Sequence, residues 1–303
     1  MEIGRLLTAM VTPFTTEGEV DYEQAKKLAL ALIASGSDGV VVTGTTGESP
    51  TLKREEEFKL WAEVKKAVGS KGVVIAGSGS NCTREAVEAS EEAEKIGVDG
   101  CLLVGPYYNN PSQEGLYRHF KEIAYNVRSM PFILYNVPSR TVRSIEPDTV
   151  ARLSKDKNCQ NIIGIKEASA NYDNIGKIIS DSRDGFRVWS GNDSDTYAIL
   201  ALGGYGIISV TSHLVGLQVK DMIDSFVAGD IAKARRLHHN MMPLVKAMFV
   251  VANPCPVKYA LNLVGFNVGK PRLPLIDVGE EPNPAFAKQI ADTVKKYKID
   301  LPL

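Results

Sequence analysis

The 303-residue sequence predicts an α/β fold, a (β/α)₈ TIM barrel with a C-terminal helical extension. Three observations lead there. Eight short β-rich runs alternate with helical patterns along the chain. Most of these runs are unbroken apolar stretches, as expected of parallel strands covered on both faces. The eight strand–helix units occupy about 225 residues, close to the roughly 250 that such a barrel takes.

The first strand is expected over 7–14. It leads into Thr15-Thr16-Glu17-Gly18, whereas a doubly wound sheet commonly places a dinucleotide fingerprint after its first strand. A helix over 21–35 follows, then a strand over 39–44 and a helix over 53–68. Next come a strand over 73–77 and a helix over 84–96, which Thr83 is placed to cap. The fourth strand, 100–105, is followed by a helix over 113–127 that Ser112 is suited to start. Strands over 132–137, 162–167, 187–191 and 206–211 complete the set. Their helices are expected over 147–153, 172–182, 195–202 and 217–227. Two look-alike stretches, 37–42 and 97–102, read as helix-to-strand corners of the barrel rather than as a duplication.

Beyond Gly229-Asp230 the pattern changes. One long helix is expected over 231–251, broken by Asn253-Pro254-Cys255-Pro256, with a shorter helix after it. A proline-rich stretch, 270–284, precedes a last helix over 285–298. The chain therefore divides into a catalytic barrel, 1–228, and a helical region, 229–303, too short for a second typical catalytic domain.

Composition excludes several classes. A formal net charge of -1 with 44% hydrophobic residues argues against disorder and against a general nucleic-acid binder. No apolar run reaches the roughly 18 residues of a membrane helix, and Met1-Glu2-Ile3-Gly4-Arg5 does not open a signal peptide. Cys82, Cys101, Cys159 and Cys255 form no Cys-x-x-Cys pair and read as free thiols of a cytoplasmic protein. His119, His213, His238 and His239 make no His-Glu-x-x-His, and no metal site is expected.

A barrel of this kind carries its active site at the C-terminal ends of its strands. Lys166 stands out there, closing the apolar run Ile162-Ile163-Gly164-Ile165. Partial desolvation lowers a lysine pKa and frees the amine to attack a carbonyl. The position also fits a lysine that reaches out of the barrel mouth or pairs with Glu167. Tyr135 ends the neighbouring strand, about 4.8 Å away, within plausible reach of the lysine. A Lys–Tyr pair suits Schiff-base chemistry, whose carbinolamine steps need a proton shuttle. Gly44-Thr45-Thr46-Gly47 offers N–H groups and hydroxyls to a small anion, but no Gly-Lys-Ser/Thr makes it a P-loop. Arg140, in the loop after Tyr135, suits a carboxylate or simply faces solvent.

Taken together, Gly44-Thr45-Thr46-Gly47-Glu48, Tyr135-Asn136-Val137-Pro138-Ser139-Arg140-Thr141 and Gly164-Ile165-Lys166-Glu167 resemble the motifs of the dihydrodipicolinate synthase and N-acetylneuraminate lyase superfamily. Pro106-Tyr107-Tyr108-Asn109 and Gly206-Ile207-Ile208-Ser209-Val210 add to the likeness, which spans the whole chain. The resemblance implies an aldolase-type reaction with no cofactor or metal, through a covalent pyruvate imine on Lys166. It implies that Thr45 and Thr46 hold the pyruvate carboxylate and that Tyr135 passes protons. Thr45 would link Tyr135 to Tyr108, which in such enzymes reaches a neighbouring subunit's site. The backbone at Gly191 and Ile208 would line the pocket. Arg140 points to the synthase branch, where an arginine meets the carboxylate of aspartate semialdehyde. The product would be 4-hydroxy-tetrahydrodipicolinate, and the assembly a homotetramer of tight dimers.

A possible allosteric set follows from the same resemblance: Ser49, Pro50, Arg54, Glu57, Asn81, Glu85 and Tyr107. Lysine-sensitive members usually carry histidines where Arg54 and Glu57 stand, so weak or absent inhibition by lysine is expected. Alternatively, Arg54 and Glu57 are simply an exposed (i, i+3) pair. Three other functions compete. A pyruvate-dependent lyase acting on sialic acid, a sugar acid or 4-hydroxy-2-oxoglutarate would share Lys166 and Tyr135. A phosphate-binding isomerase would want a glycine-rich loop after the last strands, yet Gly203-Gly204 precedes the eighth. A non-enzymatic metabolite-binding barrel would not need Lys166, Tyr135, Thr45 and Tyr108 together.

Overall fold

The computed structural model describes residues 2–302. Its eight strands are β1 (Leu6–Ala9), β2 (Gly39–Val42), β3 (Val73–Gly77), β4 (Gly100–Val104), β5 (Phe132–Asn136), β6 (Ile162–Glu167), β7 (Arg187–Ser190) and β8 (Gly206–Ser209). They pair in sequence order into one closed barrel. The ladders are parallel, as the unbroken apolar runs require.

By internal contacts the chain forms two units. One comprises the N-terminal residues through Arg5 together with Ile75–Ile208, and the other comprises Leu6–Val74 with the residues from Ser209 onward. In the first, Phe132, Ile133, Leu134, Ile162 and Ile165 are fully buried, which explains why these runs contain no alternating polar residues. In the second, Leu7, Val40, Val41, Leu214 and Val215 play that part.

Helices occupy the expected intervals, with shifted ends. The first strand stops at Ala9 rather than at 14, because Phe14 turns away to bridge Val20 and donates its N–H to the carbonyl of Val268. Thr83 is not the cap of its helix. It begins the helix Thr83–Ile96, and its hydroxyl bonds Nδ1 of His119 at 2.9 Å. Ser112 does cap the helix Gln113–Asn126, accepting from the N–H of Gly115. The eighth helix starts earlier than expected, at Ser212, and is kinked at Val215. The long helix ends at Ala247 and the last at Val294, each shorter than the helical pattern suggested. Short helical turns at Ser49–Thr51 and Pro138–Thr141, outside the expected helices, lie in loops that carry candidate site residues.

The look-alike corners have a steric basis. A Cβ on Gly39 would lie 2.4 Å from the carbonyl oxygen of Val73, and one on Gly100 would lie 3.1 Å from that of Pro131. Each strand therefore opens on a residue without a side chain, packed against its neighbour's backbone. The four cysteines are free, and three are buried. Among the described residues no helix is long and apolar enough to cross a membrane.

Candidate active site

In the first unit, the ladder between β5 and β6 pairs Tyr135 with Lys166. Paired residues face the same side of a sheet, so the two side chains meet. Nζ of Lys166 lies 4.3 Å from the centroid of the Tyr135 ring. Lys166 is only 5% exposed, and burial lowers its pKa to about 8. The charge of Asp193 opposes this shift, and that of Arg140 adds to it. Glu167 is engaged elsewhere: its carboxylate accepts from Nδ2 of Asn136 at 2.9 and 3.1 Å and from the N–H of Ser169 at 2.8 Å. The lysine is therefore a desolvated amine against a tyrosine face, not a partner of its sequence neighbour.

Gly191 follows β7 and donates its N–H to the carbonyl of Glu167 at 2.7 Å. A Cβ there would lie 2.6 Å from that of Ala168, so only glycine lets these strand ends approach. Ile208 is fully buried in β8. Arg140 is exposed on the turn Pro138–Thr141, which Thr141 braces by donating to the carbonyls of Val137 and Arg143. Tyr108 is 93% exposed with φ at 71°, a left-handed conformation that few aromatic residues adopt. Beside it, Asn81 donates to the carbonyl of Tyr107 at 3.1 Å, and Asn109 donates back to that of Asn81 at 2.8 Å. Glu85 accepts from the hydroxyl of Ser80.

The second unit holds the glycine-rich turn. Thr43 and Glu48 bracket it, both left-handed, at φ 55° and 58°. Thr46 is buried and its Oγ1 accepts from Nδ2 of Asn253, while Thr45 is half-buried. Beneath the turn, Glu48 and Lys258 form an ion pair of 2.8 Å with both side chains fully buried. Lys258 also donates to the carbonyls of Thr12 and Lys270, and the N–H of Arg272 donates to Glu48. Sequence reasoning missed Lys258. The available signal was a lysine inside the mostly apolar helix Cys255–Leu263.

Ser49 donates to Glu57 at 2.7 Å, and Arg54 pairs with it at 2.9 Å, while Pro50 is exposed. The Arg54–Glu57 pair is not the exposed one considered above: the glutamate side chain is 2% exposed and the arginine 38%. Burial raises the Glu57 pKa against the pull of Ser49 and Arg54. Among the described residues, no group of three His, Cys, Asp or Glu side chains is arranged to hold a metal.

The sequence model of the Dihydrodipicolinate synthetase family matches residues 2–293. The chain belongs to this family. A 4-hydroxy-tetrahydrodipicolinate synthase of Dehalococcoides mccartyi (strain CBDB1) is 58% identical over 302 residues, covering 100% of this chain and 99% of the relative. Among solved structures, DHDPS from Cyanidioschyzon merolae with lysine bound aligns at TM-score 0.93 and 44% identity, over 97% of each chain. A monomeric dihydrodipicolinate synthase variant aligns at TM-score 0.92 and 39% identity, over 97% of this chain and 96% of the other. Membership of the Dihydrodipicolinate synthetase family agrees with the barrel and with the position of Lys166 at a strand's C-terminal end.

Proposed function

We propose that this chain condenses pyruvate with L-aspartate 4-semialdehyde to give 4-hydroxy-tetrahydrodipicolinate, through a Schiff base on Lys166. The observation that carries the reading is the buried Lys166 amine over the Tyr135 ring, with its pKa lowered to about 8. Family membership and the synthase names of the relatives support it over the sugar-acid and hydroxyoxoglutarate lyases.

The neutral amine attacks C2 of pyruvate, and the carbinolamine loses water to become the imine. Loss of a C3 proton gives the enamine, which attacks the aldehyde carbon. The amino group of the semialdehyde then adds to C2, closes the ring and displaces Lys166. Each step moves a proton, and Tyr135, which pairs with Lys166 across the ladder, is assigned these transfers. In this reading Thr45 and Thr46 hold the pyruvate carboxylate, Thr45 and Tyr108 extend the proton path, and the backbone at Gly191 and Ile208 shapes the pocket. Residues 1–228 form the catalytic barrel, and 229–303 extend it.

Arg140 is assigned the carboxylate of the semialdehyde. Losing one charge-assisted contact costs about 1.5–3 kcal/mol, or roughly tenfold or more in kcat/KM. Arg140→Ala is expected to keep pyruvate imine formation, trapped with borohydride, while losing that factor with aspartate semialdehyde. Unchanged kinetics with this substrate would return the choice to the lyase alternatives.

Tyr108 is assigned a role across a subunit interface, in a homotetramer of tight dimers. Its near-complete exposure in a left-handed conformation supports this, since strain of that kind persists where a site requires it. Mixing inactive Tyr108→Phe with inactive Lys166→Ala should restore part of the activity once subunits exchange. If exchange is proven and no activity returns, Tyr108 serves its own subunit.

A further inference from the structure

The β5–β6 ladder contains a one-residue slip. Phe132 pairs with Ile162, but Ile133 pairs with Gly164, and from there the register runs unbroken to Tyr135↔Lys166 and Asn136↔Glu167. Ile163 is the extra residue. Carried on without the slip, the first pairing would put Tyr135 opposite Ile165 and Lys166 opposite Asn136. Side chains alternate along a strand, so a shift by one would also turn Lys166 to the other face relative to Tyr135. Bulges are uncommon between parallel strands, and they recur beside active sites where they re-aim a side chain.

A bulge alone does not hold the new register; something must pin the strands beyond it. The pair after Tyr135 and Lys166 does this. Asn136 and Glu167 are buried, at 3% and 1% exposure. Nδ2 of Asn136 donates to both carboxylate oxygens of Glu167, at 3.1 and 2.9 Å. The carboxylate also accepts from the N–H of Ser169, and the Asn136 carbonyl accepts from the N–H of Ala168 at 2.9 Å. On its other side, Oδ1 of Asn136 accepts from the N–H of Ile145 at 3.0 Å, where the loop carrying Arg140 returns. Burial raises the Glu167 pKa while these donors pull it down, a cost that a side chain with no task would not meet.

We propose that Asn136 and Glu167 are positioning residues: their buried clamp locks the slip at Ile163, sets Lys166 opposite Tyr135 and ties the Arg140 loop to the same point. This rests on the Schiff-base reading of Lys166. The two members differ in one respect. Glu167 holds only the strand ends, whereas Asn136 also anchors Ile145.

The test compares Glu167→Ala, Asn136→Ala and Glu167→Gln with the wild-type protein in kinetics and in borohydride trapping of pyruvate against pH. A displacement of about 1 Å at a reacting centre costs on the order of 10²-fold, so both alanine variants should lose roughly that in kcat. Asn136→Ala alone should also raise the KM for aspartate semialdehyde. Glu167→Gln should fall between wild type and the alanine variants, because its amide oxygen still accepts from Ser169 and from Asn136 while its nitrogen replaces the oxygen that accepted from Asn136 at 2.9 Å. The charged and titratable groups around the amine are Tyr135 and Arg140 from β5 and its loop, and Asp193 after β7. Those groups stay in place; Glu167→Ala removes a carboxylate next to the lysine, which by itself would lower the lysine pKa, so an alkaline shift of the trapping profile in the alanine variants reports movement of Lys166 out of its shelter. A merely structural clamp would lower the melting temperature and leave the profile and the KM pattern alone; that result, or kcat within threefold of wild type in folded alanine variants, overturns the proposal. If an alanine variant does not fold, Asn136→Ser answers by the same readouts. Absence of a wild-type adduct on Lys166 would instead overturn the Schiff-base reading itself.

Discussion

Lys166→Ala is expected to lower kcat by about 10⁴-fold or more, since losing a covalent nucleophile removes the reaction path rather than one contact. The geometry explains why this amine is competent. Burial against the Tyr135 ring lowers its pKa to about 8, so about a tenth of the amine is unprotonated near pH 7, far more than for an ordinary lysine. The sign is that of a base: the reactive form is the one without the proton. Imine formation should rise as pH increases toward about 8 and level off above it. Lys166→Arg should be no better than alanine, because a guanidinium does not deprotonate in this range. Borohydride with labelled pyruvate, followed by peptide mapping, checks the assignment. An adduct on another lysine, with Lys166→Ala still active, would remove Lys166 from the mechanism.

The second large effect concerns stability. Lys258→Met should destabilise the protein by about 3–5 kcal/mol, the usual cost of breaking a buried pair and leaving one charge without its partner. Glu48 and Lys258 are both fully buried, and the lysine donates hydrogen bonds to Glu48, Thr12 and Lys270. Burial lowers the Lys258 pKa against the pull of Glu48, which marks the pair as one whose desolvation is offset only while both members remain. The double variant Glu48→Gln, Lys258→Met should recover part of the loss, because no buried charge is left unmatched. Urea unfolding of the wild type, of Lys258→Met and Glu48→Gln singly, and of the double variant gives the coupling directly. A single-variant loss below about 1 kcal/mol, the range of exposed pairs, would show that water reaches the site.

Much of this chain is legible locally. Most of the eight strands come from unbroken apolar runs, and all but the end of the first match their expected positions within two residues, because burial on both faces selects the same residue types along the whole strand. Ser112 announced its helix because an N-cap acts on the next turn. Lys166 was conspicuous as a cation ending an apolar strand, and Thr45, Thr46, Tyr135 and Arg140 were visible as motifs. Thr83 misled because its hydroxyl is taken by His119, on a different helix.

What the sequence by itself determined is therefore the order of strands and helices, the barrel they imply, and the lysine on which chemistry is proposed. Tertiary structure alone decided the register slip at Ile163, the Asn136–Glu167 clamp and the pairing of Glu48 with Lys258. The reason is physical. Periodicity and capping act over a few residues and leave a local trace. A buried polar group instead takes whichever partner the folded chain brings within 3 Å, and for Glu48 that partner is 210 residues away.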